Sequence, residues 1–172
     1  ISLWTELAKT SRFILDIGAN TGIYALVAKT INPQAHVIAF EPVERVYHKL
    51  LQNCDLNGYD IQCIKKALSN ANGTATIYDP QTDHLYSVTV NQNLLAPHIA
   101  TAKIEIETMR LDTFLESFAE LPRVDLMKLD VETHEPEVLE GMGLYLERFR
   151  PAMLVEILSV QAAERLNRLI GG

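Results

Sequence analysis

Cysteine is scarce. Cys54 and Cys63 are the only two in 172 residues, too few for a disulfide framework or a zinc site. Both fall where a small apolar side chain belongs, Cys54 on a helical stripe and Cys63 in a strand-like run. Positive charge is also short. There are 15 Lys and Arg against 22 Asp and Glu, a net charge of −7, whereas binding a nucleic-acid backbone requires clustered cations. No apolar run is long enough to span a bilayer, and no signal peptide is present. These absences predict a reduced, cytoplasmic protein that takes neither a nucleic acid nor a membrane as its partner. The Asn72-Gly73-Thr74 sequon then reads as a turn. Two glycine patterns are missing as well, the Gly-x-Gly-x-x-Gly that suits a pyrophosphate and the Gly-Lys-Ser/Thr of a phosphate loop.

What remains is apolar and periodic. Hydrophobic residues make up 48% of the chain, enough for a sizeable core in a single domain covering residues 1–172. The first residue is Ile1 and the last two are Gly171 and Gly172, which reads as a fragment of a longer protein, and because the chain stops soon after its last strand the domain is expected to be truncated at its C-terminus.

Short apolar runs alternate with helical periods. Residues 13–15 read as a buried strand ending at Asp16, and Ile23, Leu26 and Val27 then recur at helical spacing until Asn32-Pro33. Residues 36–40 form a second run ending at Glu41. Val43, Val46, Tyr47, Leu50 and Cys54 follow on one helical face, and residues 61–68 read as a third strand. Residues 74–78 and 103–108 read as an intervening β excursion, with an unperiodic loop between them. Asp112 is placed to cap a short helix. Residues 124–129 form a fourth core strand ending at Asp130. Pro136 opens a helix with a stripe of Leu139, Met142, Leu146 and Phe149, and residues 152–158 form a fifth strand. Repeated β-α-β units predict an α/β fold, a doubly wound and mostly parallel sheet with helices on both faces. Ligands bind beyond the carboxyl ends of such strands, so Asp16, Glu41 and Asp130 converge on one crevice.

Gly18 and Gly22 let the first turn bend tightly and admit a ligand close to the backbone, and the following helix aims its free N–H groups at the same place. Glu41 can accept two hydrogen bonds from a ribose diol. Asp16 disfavours a neighbouring phosphate but suits the cationic amino and sulfonium groups of S-adenosylmethionine.

The segment from Leu15 to Tyr24 (Leu-Asp-Ile-Gly-Ala-Asn-Thr-Gly-Ile-Tyr) resembles that of the FkbM-type methyltransferases. So do Ala39-Phe-Glu41-Pro42, Ala67-Leu-Ser69-Asn70 and Met127-Lys-Leu-Asp130-Val-Glu132. Glu135, Leu139, Gly141, Arg150-Pro151 and Glu156 continue the likeness. It implies a Rossmann-like, S-adenosylmethionine-dependent enzyme, with Asp16, Gly18 and Asn20 at the methionine end and Glu41 on the ribose. Ala67 and Leu68 would lie beside the adenine. The family usually has Gly after the second acid of Asp-Val-Glu. Here it is Thr133, a β-branched residue for which negative φ is expected.

Methyl transfer to oxygen is a displacement for which the cofactor carries the reactive group, while the protein aligns the nucleophile and removes a proton. Asp130, Glu132 and His134 cluster beyond the fourth strand. Asp130 is the first choice for a base or orienting acid and Glu132 the second. Glu135 sits with them, although acids also stabilise a helix N-terminus. Their spacing matches no metal motif, so no metal is expected. In the unperiodic loop, Tyr86 and Ser87 resemble the family's substrate-facing loop, whereas His84 and His98 read as plain loop residues. The expected acceptor is a small molecule or a sugar hydroxyl. Two rival readings are a nicotinamide-dependent oxidoreductase and a non-catalytic domain that keeps fold and cofactor.

Overall fold

The structure is a computed structural model that describes residues 1–79 and 102–171. Tyr86, Ser87, His84 and His98 lie outside the described residues. Five strands form one parallel sheet: β1 (Phe13–Ile17), β2 (His36–Phe40), β3 (Gln62–Ile64), β7 (Leu126–Leu129) and β8 (Ala152–Val155), in the order β3-β2-β1-β7-β8. Every residue of β1 and of β7 is buried, as expected of central parallel strands covered on both faces.

Strand period two divides the core. Phe13, Leu15 and Ile17 face one cluster with Phe40, Leu115 and Leu139, while Ile14 faces another with Trp4, Ala25 and Leu50. The second cluster is covered by α1 (Ser2–Ala8), α2 (Ile23–Ile31) and α3 (Glu44–Asn57). Trp4 is fully buried there, its indole N–H donating to the Tyr24 carbonyl at 2.9 Å. Cys54 and Cys63 are free thiols with sulfurs 3.7 Å apart.

The excursion in the middle is a second, three-stranded sheet. β5 (Gly73–Asp79) pairs antiparallel with β6 (Ala102–Met109), and β4 (Ala67–Leu68) lies parallel to β6. Residues 61–68 are therefore not one strand. Lys65 and Lys66 interrupt the apolar run, pairing with Glu44 and Glu107, and the chain changes sheets between them and Ala67.

Asp112 is not a helix cap. It lies within the first turn of α4 (Leu111–Glu116) and forms an ion pair with Arg110, which occupies the cap position. The stripe from Leu139 to Phe149 is carried by two helices, α5 (Glu135–Met142) and α6 (Leu144–Phe149), because Gly143 at φ +55° breaks the chain between them. A final helix, α7 (Val160–Ile170), packs on α5, with Arg165 bound to Glu137 and Glu140. No helix among the described residues is long and apolar enough to cross a membrane.

Candidate active site

Chain order in the parallel sheet reverses beside β1: the chain moves outward through β2 and β3, then returns to β7 and β8 on the other side. The carboxyl ends of these strands open into a crevice of about 310 Å³, the position expected for ligands in such sheets. Gly18 and Asn20 line it from the β1 turn and Glu41 from the end of β2. Ala67 and Leu68 line it from β4, Asp130, Glu132 and His134 from beyond β7, and Glu156 from the end of β8.

Gly18 is at φ +72°, and a Cβ there would sit 2.0 Å from the Asp130 carbonyl oxygen. No other residue fits without moving one wall of the crevice. Asn20 also has a left-handed backbone, at φ +53°, and its N–H donates to Glu41 Oε2 at 3.0 Å. The Val43 N–H donates to Glu41 Oε1 at 3.0 Å. These bonds fix the Glu41 carboxylate with one acceptor site open on each oxygen. Only 7% of Glu41 is exposed, and burial pushes its carboxyl up to about 7 despite both bonds.

Asp16 and Gly22 do not line the crevice. Strand parity turns Asp16 toward the helical layer, where it is fully buried and accepts from the Ala25 N–H at 2.9 Å, in the first turn of α2. Gly22 caps that helix at φ +91°, with no room for a Cβ against Leu50. Both residues support the turn from beneath.

The cation that answers Asp16 is Lys128, which is 4% exposed. Its Nζ lies 3.6 Å from Asp16 Oδ1 and 3.1 Å from Asp130 Oδ2, donates to the Gly18 carbonyl at 2.8 Å, and sits over the Tyr24 ring. Sequence reasoning assigned Lys128 no role. A lysine in the middle of the otherwise apolar Leu126–Leu129 strand was the available signal.

Beyond β7 the chain turns into α5 through two consecutive left-handed residues, Glu132 at φ +55° and Thr133 at φ +76°. The negative φ expected of Thr133 is therefore not what the turn adopts. The family's usual Gly would take this conformation freely, whereas a β-branched residue takes it under strain. Glu135 steadies the turn by accepting from the Val131 N–H at 3.1 Å. His134 has both ring nitrogens near protein groups, Nε2 at 3.0 Å from Ser69 Oγ and Nδ1 at 3.6 Å from Glu137 Oε2. Burial holds the imidazole below its usual pKa and so favours the neutral ring.

Glu156 was noted only as part of the resemblance. With β8 ending at Val155 rather than at residue 158, Glu156 becomes another strand-end acid. Carboxylate oxygens of Asp130, Glu132 and Glu156 all lie within 4.8 Å of one another, a spacing over which acids share a proton or a cation.

The donors present suit S-adenosylmethionine. Glu41 offers a buried diol acceptor, and Val43, Leu68, Ile77 and Ile106 offer apolar walls for a base. Four carboxylates line the crevice, which favours a sulfonium and opposes a pyrophosphate.

Comparison with known proteins agrees with this geometry. The family model described as the methyltransferase FkbM domain matches residues 16–168. Methyltransferase sdnD of Sordaria araneosa is 30% identical over 155 residues, which cover 76% of this chain and 60% of the relative. Hexuronic acid methyltransferase AglP of Haloferax volcanii is 30% identical over 142 residues, covering 83% of this chain and 54% of the relative. Methyltransferase 1 of Beauveria bassiana is 29% identical over 144 residues, covering 76% and 58%. The chain thus spans a little over half the length of these curated relatives. Among solved structures, an FkbM methyltransferase from Methylobacillus flagellatus superposes with a TM-score of 0.62 at 14% identity, covering 93% of this chain and 36% of that one. A putative O-methyltransferase from Klebsiella pneumoniae gives 0.56 at 13% identity, covering 99% and 68%. Both are likenesses of fold.

Proposed function

This chain belongs to the methyltransferase FkbM domain family, and from that membership we propose that it binds S-adenosylmethionine in the strand-end crevice and directs methylation of a hydroxyl oxygen. The observation that supports the reading is Glu41, a buried carboxylate beyond β2 that is held by two backbone N–H groups, lines the crevice and keeps an acceptor site on each oxygen. S-adenosylmethionine, when bound, supplies a methyl group activated by a sulfonium.

The protein's own part is binding and alignment. Gly18 and Asn20 bring the first turn against the methionine end, and Glu41 accepts from the ribose. Ala67 and Leu68 flank the adenine. Asp16 and Gly22 act indirectly, by holding the turn and the start of α2. Asp130, Glu132 and His134 form the far wall, where an incoming hydroxyl must be oriented and lose its proton. The hexuronic acid methyltransferase among the relatives supports a sugar or small-molecule acceptor. A cytoplasmic setting fits the two free thiols, and a single domain fits one continuous parallel sheet.

Isothermal calorimetry with S-adenosylmethionine, S-adenosylhomocysteine and NAD tests the reading. The first two should bind, and NAD should bind far more weakly because the acids lining the crevice oppose its pyrophosphate. Tight NAD binding without S-adenosylhomocysteine binding would overturn the assignment in favour of an oxidoreductase.

A further inference from the structure

The wall beyond β7 and β8 holds several acids, and their surroundings separate them. Leu129 pairs with Val155 in the sheet, so Asp130 and Glu156 are the next residues on adjacent strands and leave the sheet side by side. The Glu156 N–H donates to the Leu129 carbonyl at 2.9 Å, which fixes that exit. Oxygens of the two carboxyl groups, with one from Glu132, lie within 4.8 Å of one another, close enough for neighbouring acids to share a proton.

Lys128 separates the two: its ammonium lies 3.1 Å from Asp130 Oδ2 and ties that carboxyl to Gly18 and Asp16 below. Glu156 instead meets Asp130, Glu132 and Glu135, and all three like charges oppose its ionisation. His134, the remaining titratable group on that wall, is held by Ser69 and lies near Glu137.

Resting on the reading of the crevice as a methyltransferase site, we propose that Glu156 is the catalytic base, and that Asp130 is the positioning acid that presents it. The acceptor O–H gives its proton to the Glu156 carboxylate as the hydroxyl oxygen forms a bond to the methyl carbon. The carbon–sulfur bond breaks with its electron pair retained by sulfur, leaving a neutral thioether, a methyl ether and a protonated Glu156. Asp130 and the other like-charged neighbours push the Glu156 carboxyl up to about 7. That lies near a neutral working pH, where a general base is most effective.

Carbon-13 NMR of protein labelled at the glutamate carboxyls tests this without turnover. Two glutamates should titrate near neutrality, one lost in Glu41→Gln and the other in Glu156→Gln. In Asp130→Asn the second midpoint should fall toward the ordinary glutamate range. A Glu156 midpoint in that range in the wild type, or one unmoved by Asp130→Asn, would overturn the proposal. With p-nitrophenyl β-glucuronide as acceptor, single-turnover rates of the wild type should rise with pH through about 7. In Glu156→Gln they should fall by roughly 10²–10⁴-fold, while S-adenosylhomocysteine affinity stays within a few-fold. Equal rates in the two proteins would also overturn it. Failure of the wild type to bind S-adenosylhomocysteine would instead overturn the cofactor reading and leave the titration result standing.

Discussion

A buried carboxylate that must accept two hydroxyl hydrogens can do so fully only when ionised, so ligand affinity at Glu41 should depend on pH. In the free protein its carboxyl is raised to about 7 by burial. Ribose hydroxyls donate to the charged form and lower that value in the complex, which means that binding expels a proton below pH 7 and none well above it. At pH 6 about ten in eleven molecules hold the proton, and at pH 8 about one in eleven does. The dissociation constant for S-adenosylhomocysteine should therefore tighten about tenfold from pH 6 to pH 8, about 1.4 kcal/mol. Calorimetry in two buffers of different ionisation enthalpy measures both the affinity and the released proton. Glu41→Gln must turn its amide toward one of the two backbone donors at Asn20 and Val43, so it should bind more weakly overall, by about tenfold or more. Its Glu41-linked pH slope should vanish, whereas Glu156→Gln should retain that slope. An equal slope in wild type and Glu41→Gln, or none in the wild type, would refute the assignment of Glu41 to the ribose.

Two further outcomes concern stability. Thr133→Gly should stabilise the protein by about 0.5–1 kcal/mol in urea denaturation, because relief of left-handed strain of about 1–2 kcal/mol outweighs the added chain entropy. A loss of stability would show that Thr133 is held by contacts worth more than its strain. Lys128→Met should cost about 3–5 kcal/mol by leaving Asp16 and Asp130 without their cation, and adding Asp16→Asn should recover part of the loss. An unchanged midpoint in Lys128→Met would refute the role given to this ammonium.

The central strands were legible because a buried parallel strand is a mostly apolar run, as residues 13–15 and 37–40 are and as residues 124–129 are apart from Asp125 and Lys128. The crevice was legible because Glu41 and Asp130 follow the last residues of their strands and open beyond the carboxyl edge of the sheet. What stayed hidden depends on contacts distant in sequence. Helix α1 has only seven residues and α7 only a narrow apolar stripe, and both are stabilised by packing on α2 and α5. The split at Lys66 reflects a choice between two sheets that no local period encodes. Strand parity turned Asp16 inward, a distinction that identity and spacing leave open. Thr133 takes positive φ because the three-residue passage from Asp130 to His134 must close on α5, and propensity alone pointed the other way. Glu156 was obscured by reading β8 to residue 158 instead of Val155.

Lys128 also bears on the order in which this domain can assemble. Its bond to the Gly18 carbonyl joins residues 110 positions apart, and a contact of that separation forms only after most of the chain-closure entropy has been overcome. Until β7 docks beside β1, the first 60 residues hold an aspartate whose burial has no compensating charge, so those β-α units are held back from completing their core. On a ribosome releasing the polypeptide from its N-terminus, the first turn would stay pliable until residue 128 had emerged.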